Sequence, residues 1–236
     1  EGKEFFRELS RTMPNYSFHI TEGRQSQEIL VGVKSGFTSF FSQRVAFKAG
    51  NSWLRPGALL TVTIDEADYS LLFLHLKSKS EPVGLGLRDD QLAKAQKLKK
   101  KLDKAQPGAK RANFMVLGDL NTMGMKYIKG KGISGNLELA KLDKDLARKS
   151  VAMRRLTKAA DASWWNGPGS SYPPGNLDHV LASDHLAFKK FNRLGDDGKA
   201  EVDVRGWPAL ATNAQKGQWI NRYSDHGLLY LEAQKV

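Results

Sequence analysis

The chain has 236 residues, of which 40% are apolar and 26% charged, a composition that is typical of folded proteins and excludes a collagen-like or wholly disordered chain. It contains no cysteine, so disulfides, thiolate nucleophiles and cysteine-based zinc sites are excluded. Lysine and arginine total 37 against 25 for aspartate and glutamate, and the resulting formal charge of +12 favours an anionic partner such as nucleic acid, a phosphorylated substrate or a membrane surface.

The first elements of the chain are a helix followed by strands. A short helix is expected at residues 5–9 and a strand at residues 27–34. Apolar runs at residues 59–64 and 69–76 predict two more strands, and the polar residues 65–68 between them predict a hairpin turn. None of these runs approaches the ~20 apolar residues that a membrane-spanning helix needs.

A loop and a long helix follow the hairpin. Glycine and proline predict a loop over residues 77–88, and leucines and alanines at helical spacing predict a helix over residues 89–105. The opposite face of this helix is rich in lysines, which we expect to be solvated, namely Lys94, Lys97, Lys99, Lys100, Lys101 and Lys104.

The second half of the chain continues the alternation of strands and helices. The predicted elements are a strand at 114–117, one long or two short helices within 137–160, a loop at 164–175, a strand at 177–182, a hairpin at 188–204 that turns at 196–198, and a last strand at 228–232. This order predicts a mixed α/β architecture. We expect one domain over residues 1–236, because no segment is long enough to be a linker.

Polar residues at the ends of apolar strands are the candidates for chemistry. Asp119 and Asn121 follow the strand at 114–117, and residues two apart on an extended chain point to the same side. Together they can bind a single phosphate or a hard cation such as Mg²⁺. Taken alone, the aspartate has an equally ordinary explanation as a turn former.

Further candidates are histidines and aspartates near other strand ends. His75 ends a strongly apolar strand, Asp178 opens one, and Ser224-Asp225-His226 immediately precedes the last one. A histidine beside an aspartate can act as a general base or a metal ligand. Each motif alone is weak evidence for a functional site, whereas the occurrence of all of them in this order is a specific pattern.

The four motifs together resemble the endonuclease/exonuclease/phosphatase family, which has the deoxyribonuclease I-like fold. The resemblance covers residues 23 to the C-terminus and rests on His75-Leu76-Lys77-Ser78, Gly118-Asp119-Leu120-Asn121, Leu177-Asp178-His179-Val180 and Ser224-Asp225-His226. It implies a four-layer α/β/β/α sandwich of two mixed sheets. It also implies metal-dependent hydrolysis of a phosphodiester or a phosphomonoester.

The resemblance also implies roles for the residues that match the motifs. His226 would activate the attacking water, Asp178 would orient His226 through its Nδ1, and Asp225 would bind a divalent cation, Mg²⁺ or else Mn²⁺ or Ca²⁺. Asp119 and Asn121 would hold the phosphate together with the nucleophile or the metal.

The same resemblance assigns His75 and the segment before residue 30. His75 would donate to the phosphate or protonate the leaving oxygen, and Glu28 would orient His75. For Glu28, an exposed strand position without a role is an equally open alternative. Arg24 and Lys77 would contact substrate phosphates.

Two features depart from the family pattern. Its first strand carries an Asn and its second ends in Gln-Glu, with that Glu as a principal metal ligand, and neither strand is present here. The chain is therefore either N-terminally incomplete relative to the family or impaired in metal binding, and without that Glu the metal should bind weakly. Ser183-Asp184-His185 repeats the later tripeptide, but we assign the site to Asp225 and His226, which precede the terminal strand.

These expectations converge on a monomeric, divalent-metal-dependent phosphodiesterase, with a nuclease acting on DNA or RNA as the first hypothesis. A phosphoesterase acting on lipids or small molecules is an alternative, because the same fold serves several substrates. A nucleic-acid-binding member that has lost catalysis is another. Trp164 and Trp165 would either stack on bases or pack within their loop.

Overall fold

The computed structural model of the protein describes residues 2–24, 27–109, 111–191 and 198–234. Four helices are present in these ranges: α1 (Gly2–Thr12), α2 (Pro82–Ala105), α3 (Gly135–Leu146) and α4 (Asn213–Arg222). The strands are β1 (Tyr16–Ile20), β2 (Leu30–Lys34), β3 (Thr38–Arg44), β4 (Gly57–Ile64), β5 (Ala67–His75), β6 (Asn113–Asp119), β7 (Met153–Arg155), β8 (Asp178–Ser183), β9 (Asp203–Arg205) and β10 (Leu228–Tyr230).

A six-stranded mixed sheet forms the centre of the molecule, with the strand order β3-β4-β5-β6-β8-β7. The hairpin between β4 and β5 turns at Asp65 and Glu66, both at positive φ (48° and 64°), a geometry that matches the twist of the flanking strands. Helix α2 connects β5 to its parallel neighbour β6, and the other pairings in this sheet are antiparallel. The ends of β5 and β6 therefore meet at one edge of the sheet.

Both faces of this sheet are covered. Helices α2 and α3 pack on one face, where Leu92 and Leu142 join Leu72 and Val116 in one apolar core. The antiparallel ribbons β1–β2 and β9–β10 cover parts of the opposite face.

The outermost helices complete the layers. Phe6 of α1 packs edge-on against Phe18 of β1, with ring centroids 6.5 Å apart. Trp219 of α4 packs on Gly206, where the indole leaves no room for a Cβ atom. The result is the four-layer α/β/β/α arrangement predicted from the sequence.

Several elements differ from the sequence-based expectations. Helix α2 begins at Pro82 rather than at residue 89, because proline suits a first helical turn and Gly84 allows the helix to approach the carbonyl of Lys79. Residues Met153–Arg155 form strand β7, which the helical pattern at 137–160 had concealed. Lys99, expected to be solvated, is fully buried and donates to both carboxylate oxygens of Asp103 at 2.6 Å.

The hairpin predicted at 188–204 lies partly outside the described residues, since 192–197 are not among them. On either side of that gap, Phe191 and Ala200 form an antiparallel bridge. Within the described parts of the chain, no helix is long and apolar enough to cross a membrane.

Candidate active site

Three of the predicted site residues form one row across the edge of the central sheet. His75 at the end of β5 is in register with Asp119 at the end of β6, and Asp119 is in register with Asp178 at the start of β8. Residues directly opposite each other on neighbouring strands project to the same face. Residues far apart in the sequence are thereby brought together.

The carboxylate of Asp119 is held by Asn121. Asn121 donates from its backbone N to Oδ1 of Asp119 at 2.9 Å and from Nδ2 to Oδ2 at 2.8 Å. It adopts φ 51°, a left-handed conformation that asparagine tolerates better than most residues. Burial, followed by the negative charge of Asp178, raises the pKa of Asp119 to about 7. Asp119 and Asn121 are therefore in direct contact, and Asn121 holds the carboxyl group of Asp119 in place.

Close packing at the end of β6 explains the glycine that precedes Asp119. Gly118 has φ 133°, and a Cβ atom there would lie 2.1 Å from the carbonyl oxygen of Leu74 on β5. A larger residue would push β6 away from β5 and separate His75 from Asp119.

His75 is half-buried beside Asp119. Its Nε2 lies 3.3 Å from Oδ2 of Asp119. Burial, together with the nearby charges of Arg55 and His226, lowers the pKa of His75 to about 4. The imidazole is therefore uncharged at neutral pH.

The second imidazole, His226, is paired with Asp178. Its Nδ1 donates to Oδ2 of Asp178 at 2.9 Å, the contact predicted for a base and its orienting carboxylate. Burial lowers the pKa of His226, but the hydrogen bond and charge of Asp178 and the charges of Asp119 and Asp225 outweigh it, so that the net pKa is raised. This bond leaves Nε2 as the ring nitrogen that can accept a proton.

The backbone around Asp178 is fixed by groups that the sequence did not single out. Its N–H donates to Oγ of Ser163 at 2.9 Å, and its carbonyl accepts from Nζ of Lys158 at 2.8 Å. Burial lowers the pKa of Lys158 to about 8. Asp178 is thus positioned by both its main-chain groups and its side chain.

Hydrogen bonds from tryptophans hold Asp225 in position. Nε1 of Trp164 donates to Oδ2 of Asp225 at 2.8 Å, and Nε1 of Trp207 donates to its backbone carbonyl at 2.9 Å. Trp165 donates its backbone N–H to the same carbonyl at 2.9 Å and packs against Trp207. Of the two interpretations of Trp164 and Trp165, these contacts favour packing within the loop.

Arg55 is a site residue that sequence reasoning missed. It lies just before β4, whose start is at the same sheet edge as the end of β5, and its charge acts on both Asp119 and His75. Its Nε is buried without a hydrogen-bond partner among the described residues, while Nη2 donates to Gln27. The sequence shows only an arginine two residues before an apolar strand. Its place at the site follows from the strand order.

Within the described parts of the chain, the other residues predicted from the sequence make no recorded side-chain contact with the row, and their roles stay predictions. Arg24 and Glu28 are exposed between β1 and β2, and no hydrogen bond or ion pair among the described residues joins either to the row. Lys77 follows His75 closely and is half-buried, and its carbonyl accepts from Arg88. His185 of the repeated tripeptide contacts Asn113, at the start of β6 and thus at the opposite end of the sheet.

The described residues do not form a complete metal site. They contain no group of three or more His, Asp and Glu side chains arranged to hold a metal ion. Asn121 donates to both oxygens of Asp119, and Trp164 donates to one oxygen of Asp225, so that lone pairs remain on each carboxylate. The two carboxylates alone nevertheless supply too few protein ligands for a complete cation site among the described residues.

A cleft adjoins the row. It has a volume of about 700 Å³, and it is bordered by Thr122 next to Asn121, by Leu177 next to Asp178, and by Trp164. Lys126 lies on its rim, and the described residues that line it include no aspartate or glutamate. Its electrostatic character suits a neutral or anionic group.

Comparisons with known proteins identify the fold. No family sequence model matches the chain, and no characterised protein matches it by sequence. Solved structures do match it. D. rerio TDP2 complexed with single strand DNA product is 14% identical with a TM-score of 0.57, over 98% of this chain and 82% of that chain.

Two Bacteroides thetaiotaomicron proteins are similar to a comparable degree. A mannosyl-6-phosphatase is 12% identical with a TM-score of 0.55, over 99% of this chain and 82% of that chain. An endonuclease/exonuclease/phosphatase family protein is 11% identical with a TM-score of 0.52, over 98% of this chain and 79% of that chain. The fold is thus deoxyribonuclease I-like, as the sequence motifs predicted.

Proposed function

We propose that the chain belongs to the endonuclease/exonuclease/phosphatase family and hydrolyses phosphodiester bonds in nucleic acid, either DNA or RNA. The observation that carries the proposal is the hydrogen-bonded pair of His226 and Asp178 at the end of the row formed with Asp119 and His75. The structural neighbours include a phosphatase and a protein complexed with DNA. The formal charge of +12 favours a polyanionic substrate.

In the proposed mechanism, His226 is the general base. Its Nε2 takes a proton from water as the water attacks phosphorus, and Asp178 stabilises the imidazolium that forms at the other nitrogen. Because its pKa is raised, His226 is a stronger base than an ordinary histidine.

Arg55 and His75 act on the phosphate in this mechanism. The half-buried guanidinium of Arg55, whose Nε has no hydrogen-bond partner in the described parts of the chain, stabilises negative charge that grows on the phosphoryl oxygens. His75 donates a hydrogen bond to the phosphate or to the leaving oxygen. Asp119 and Asn121 fix the position of His75 from the neighbouring strand.

Dependence on Mg²⁺, Mn²⁺ or Ca²⁺ stays a prediction, and residues of the chain itself carry each of these steps. Asp225 and Asp119 alone do not form a cation site among the described residues, so a cation held by this chain would bind weakly. A second candidate is a nucleic-acid-binding protein that has lost catalysis, which the formal charge of +12 also suits.

A substrate panel separates these proposals. Plasmid DNA, RNA, sphingomyelin and a phosphoinositide are incubated with the protein, with and without Mg²⁺, beside His226→Ala and the matched control His185→Ala. Loss of DNA or RNA cleavage only in His226→Ala supports the proposal, with an expected fall of roughly 10²- to 10⁴-fold. Cleavage that survives His226→Ala overturns the assignment of the base.

The other outcomes choose among the alternatives. Turnover of either lipid without turnover of nucleic acid would identify a lipid phosphoesterase instead. Salt-sensitive DNA binding without hydrolysis of any substrate would identify the binding protein.

A further inference from the structure

A hairpin projects beside the candidate site, shortly after Asn121. Met125 and Ile133 exchange both backbone hydrogen bonds, at 2.7 Å and 2.8 Å, and thereby close the loop formed by residues 126–132. At its first residue, Lys126 donates its backbone N–H to the carbonyl of Ser80 at 2.6 Å. Lys126 and Ser80 also border the cleft next to the row.

The base of this hairpin is anchored to a buried ion pair. Arg88 of α2 is fully buried and donates from Nε to Oε1 of Glu138 at 2.7 Å and from Nη2 to Oε2 at 2.9 Å. Both members of the pair also hydrogen-bond to Gly124. Its carbonyl accepts from Arg88 at 2.8 Å, and its N–H donates to Glu138 at 2.8 Å. Gly124 has φ 75°, and a Cβ there would lie 2.1 Å from the carbonyl oxygen of Ile133.

The tip of the hairpin has a composition that the fold does not require. Ile128 is 99% exposed and Tyr127 is 54% exposed, although both are large and apolar enough to be buried. Lysines flank them at positions 126, 129 and 131, all exposed, and residues 122–134 include no acidic side chain. An apolar tip flanked by cations therefore extends from an anchored base that lies close to Asn121 in the chain.

We propose that this hairpin is a wedge that docks on a nucleic-acid duplex beyond the scissile phosphate, with its lysines on flanking phosphates and Ile128 inserted at a base step. The inference rests on the proposed function, because it places the duplex across the same row of site residues. Apolar side chains that enter base steps are a known means of bending and holding a duplex. Lysines on phosphates supply affinity that falls with added salt.

The size of the apolar tip favours a duplex over a membrane. A membrane-surface element buries an extended apolar face, whereas this tip presents one isoleucine and one half-exposed tyrosine. A single side chain is sufficient to enter a base step. Binding to an anionic bilayer is therefore the competing outcome of the test.

The test measures duplex binding by the full chain in a His226→Ala background, which prevents cleavage by the proposed base. A duplex with 2-aminopurine at successive positions reports unstacking through its fluorescence. We expect Ile128→Ser to bind about tenfold more weakly and to lose the fluorescence increase, and Ile128→Leu to retain both. The double substitution Lys129→Ala/Lys131→Ala should lower the slope of log K against log salt by about 2.

A matched control uses exposed lysines on the last turns of α2. Lys100→Ala/Lys101→Ala removes the same charge at a distance from the site and should leave the fluorescence increase unchanged. Thermal melts of all variants check folding, and loss of binding without loss of folding supports the wedge.

Contrary outcomes are distinct from failure of the proposed function. If nucleic acid is hydrolysed but the tip variants match the parent in affinity, salt slope and fluorescence, the wedge is wrong and the proposed function stands. If tip-dependent duplex binding occurs without hydrolysis, the wedge stands and the enzyme proposal fails. Tip-dependent binding to vesicles of phosphatidylserine and phosphatidylcholine, without tip-dependent duplex binding, would replace the wedge with a membrane contact.

Discussion

Nε2 of His75 lies 3.3 Å from Oδ2 of Asp119, and the two residues are in register on the parallel strands β5 and β6. Burial is the largest cause of both pKa shifts, lowering that of His75 to about 4 and raising that of Asp119 to about 7. At neutral pH, the imidazole is therefore neutral, whereas the carboxyl group is about half protonated. His75 can then contribute a hydrogen bond but not a positive charge.

This protonation pattern predicts different effects for two substitutions of His75. His75→Gln keeps an N–H donor and should retain more activity than His75→Ala, for which we expect a fall of roughly 10²-fold or more. The measurement is kcat at pH 7 on the substrate that the panel identifies. Equal inactivity of both variants would mean that a protonated imidazole is required, which contradicts the lowered pKa.

The pairing of His226 with Asp178 predicts a shift in the pH–rate profile. The base must be unprotonated, so activity rises with pH through the pKa of His226, which Asp178 holds above its ordinary value. In Asp178→Asn, the hydrogen bond to a carboxylate and its charge are lost, and burial then lowers the pKa. We expect the acid limb of kcat/KM to move to lower pH while the maximal rate falls by roughly 10²- to 10⁴-fold.

An unchanged acid limb in Asp178→Asn would show that another group titrates. Asp184→Asn is the matched control, because Asp184 lies beside His185 at the far end of the sheet and contacts Arg111. It should leave both the limb and the rate unchanged.

The sequence predicted that His75, Asp119 and Asp178 belong to one site, because each ends or begins an apolar strand and their motifs occur in the order of a known family. Their catalytic roles stay predictions. The strand order then follows from ordinary rules: the tight turn at Asp65 and Glu66 pairs β4 with β5, and the helical connection makes β6 parallel to β5. Apolar runs also predicted β8 and the terminal strand. These local signals agree with the global fold, so they could be combined without coordinates.

Other features depend on contacts between distant segments and could not be read from the sequence. The basic pattern along α2 does not distinguish the buried Lys99 from the exposed lysines beside it, although its partner Asp103 lies only four residues further along the helix. The indole contact from Trp164 to Asp225 joins residues that are remote in the chain. The location of Arg55 at the site could not be predicted either, since it depends on β4 pairing with β5.

Arg55 gives a prediction that distinguishes charge from geometry. Arg55→Ala should lower kcat by roughly 10²-fold, because charge developing on the phosphoryl oxygens loses a half-buried partner. Arg55→Lys should restore activity only in part, since an ammonium lacks the forked donors of a guanidinium. Arg44→Ala, which removes an exposed arginine at the end of β3, is the control. Wild-type kcat in Arg55→Ala would remove this residue from the mechanism.

The buried pair of Arg88 and Glu138 supports both loops that carry the site. Arg88 also donates from Nη1 to the carbonyls of Lys77 and Lys79, at 3.2 Å and 2.9 Å, so it joins the loop after β5 to the loop after β6. Glu138→Gln leaves a buried guanidinium without its counter-charge, and Arg88→Met leaves a buried carboxylate and several carbonyls without donors. We expect each to lower the free energy of unfolding by about 3–5 kcal/mol.

The double substitution Arg88→Met/Glu138→Gln tests whether these costs are coupled. No unpaired charge remains in it, so its loss of stability should be smaller than the sum of the single losses by about 1–3 kcal/mol, as measured by urea unfolding. It should not recover the parent's stability, because the carbonyls of Lys77, Lys79 and Gly124 still lack their donor. Additive losses would show that the two side chains act separately, and the loops around His75 and Asp119 would then need another source of their alignment.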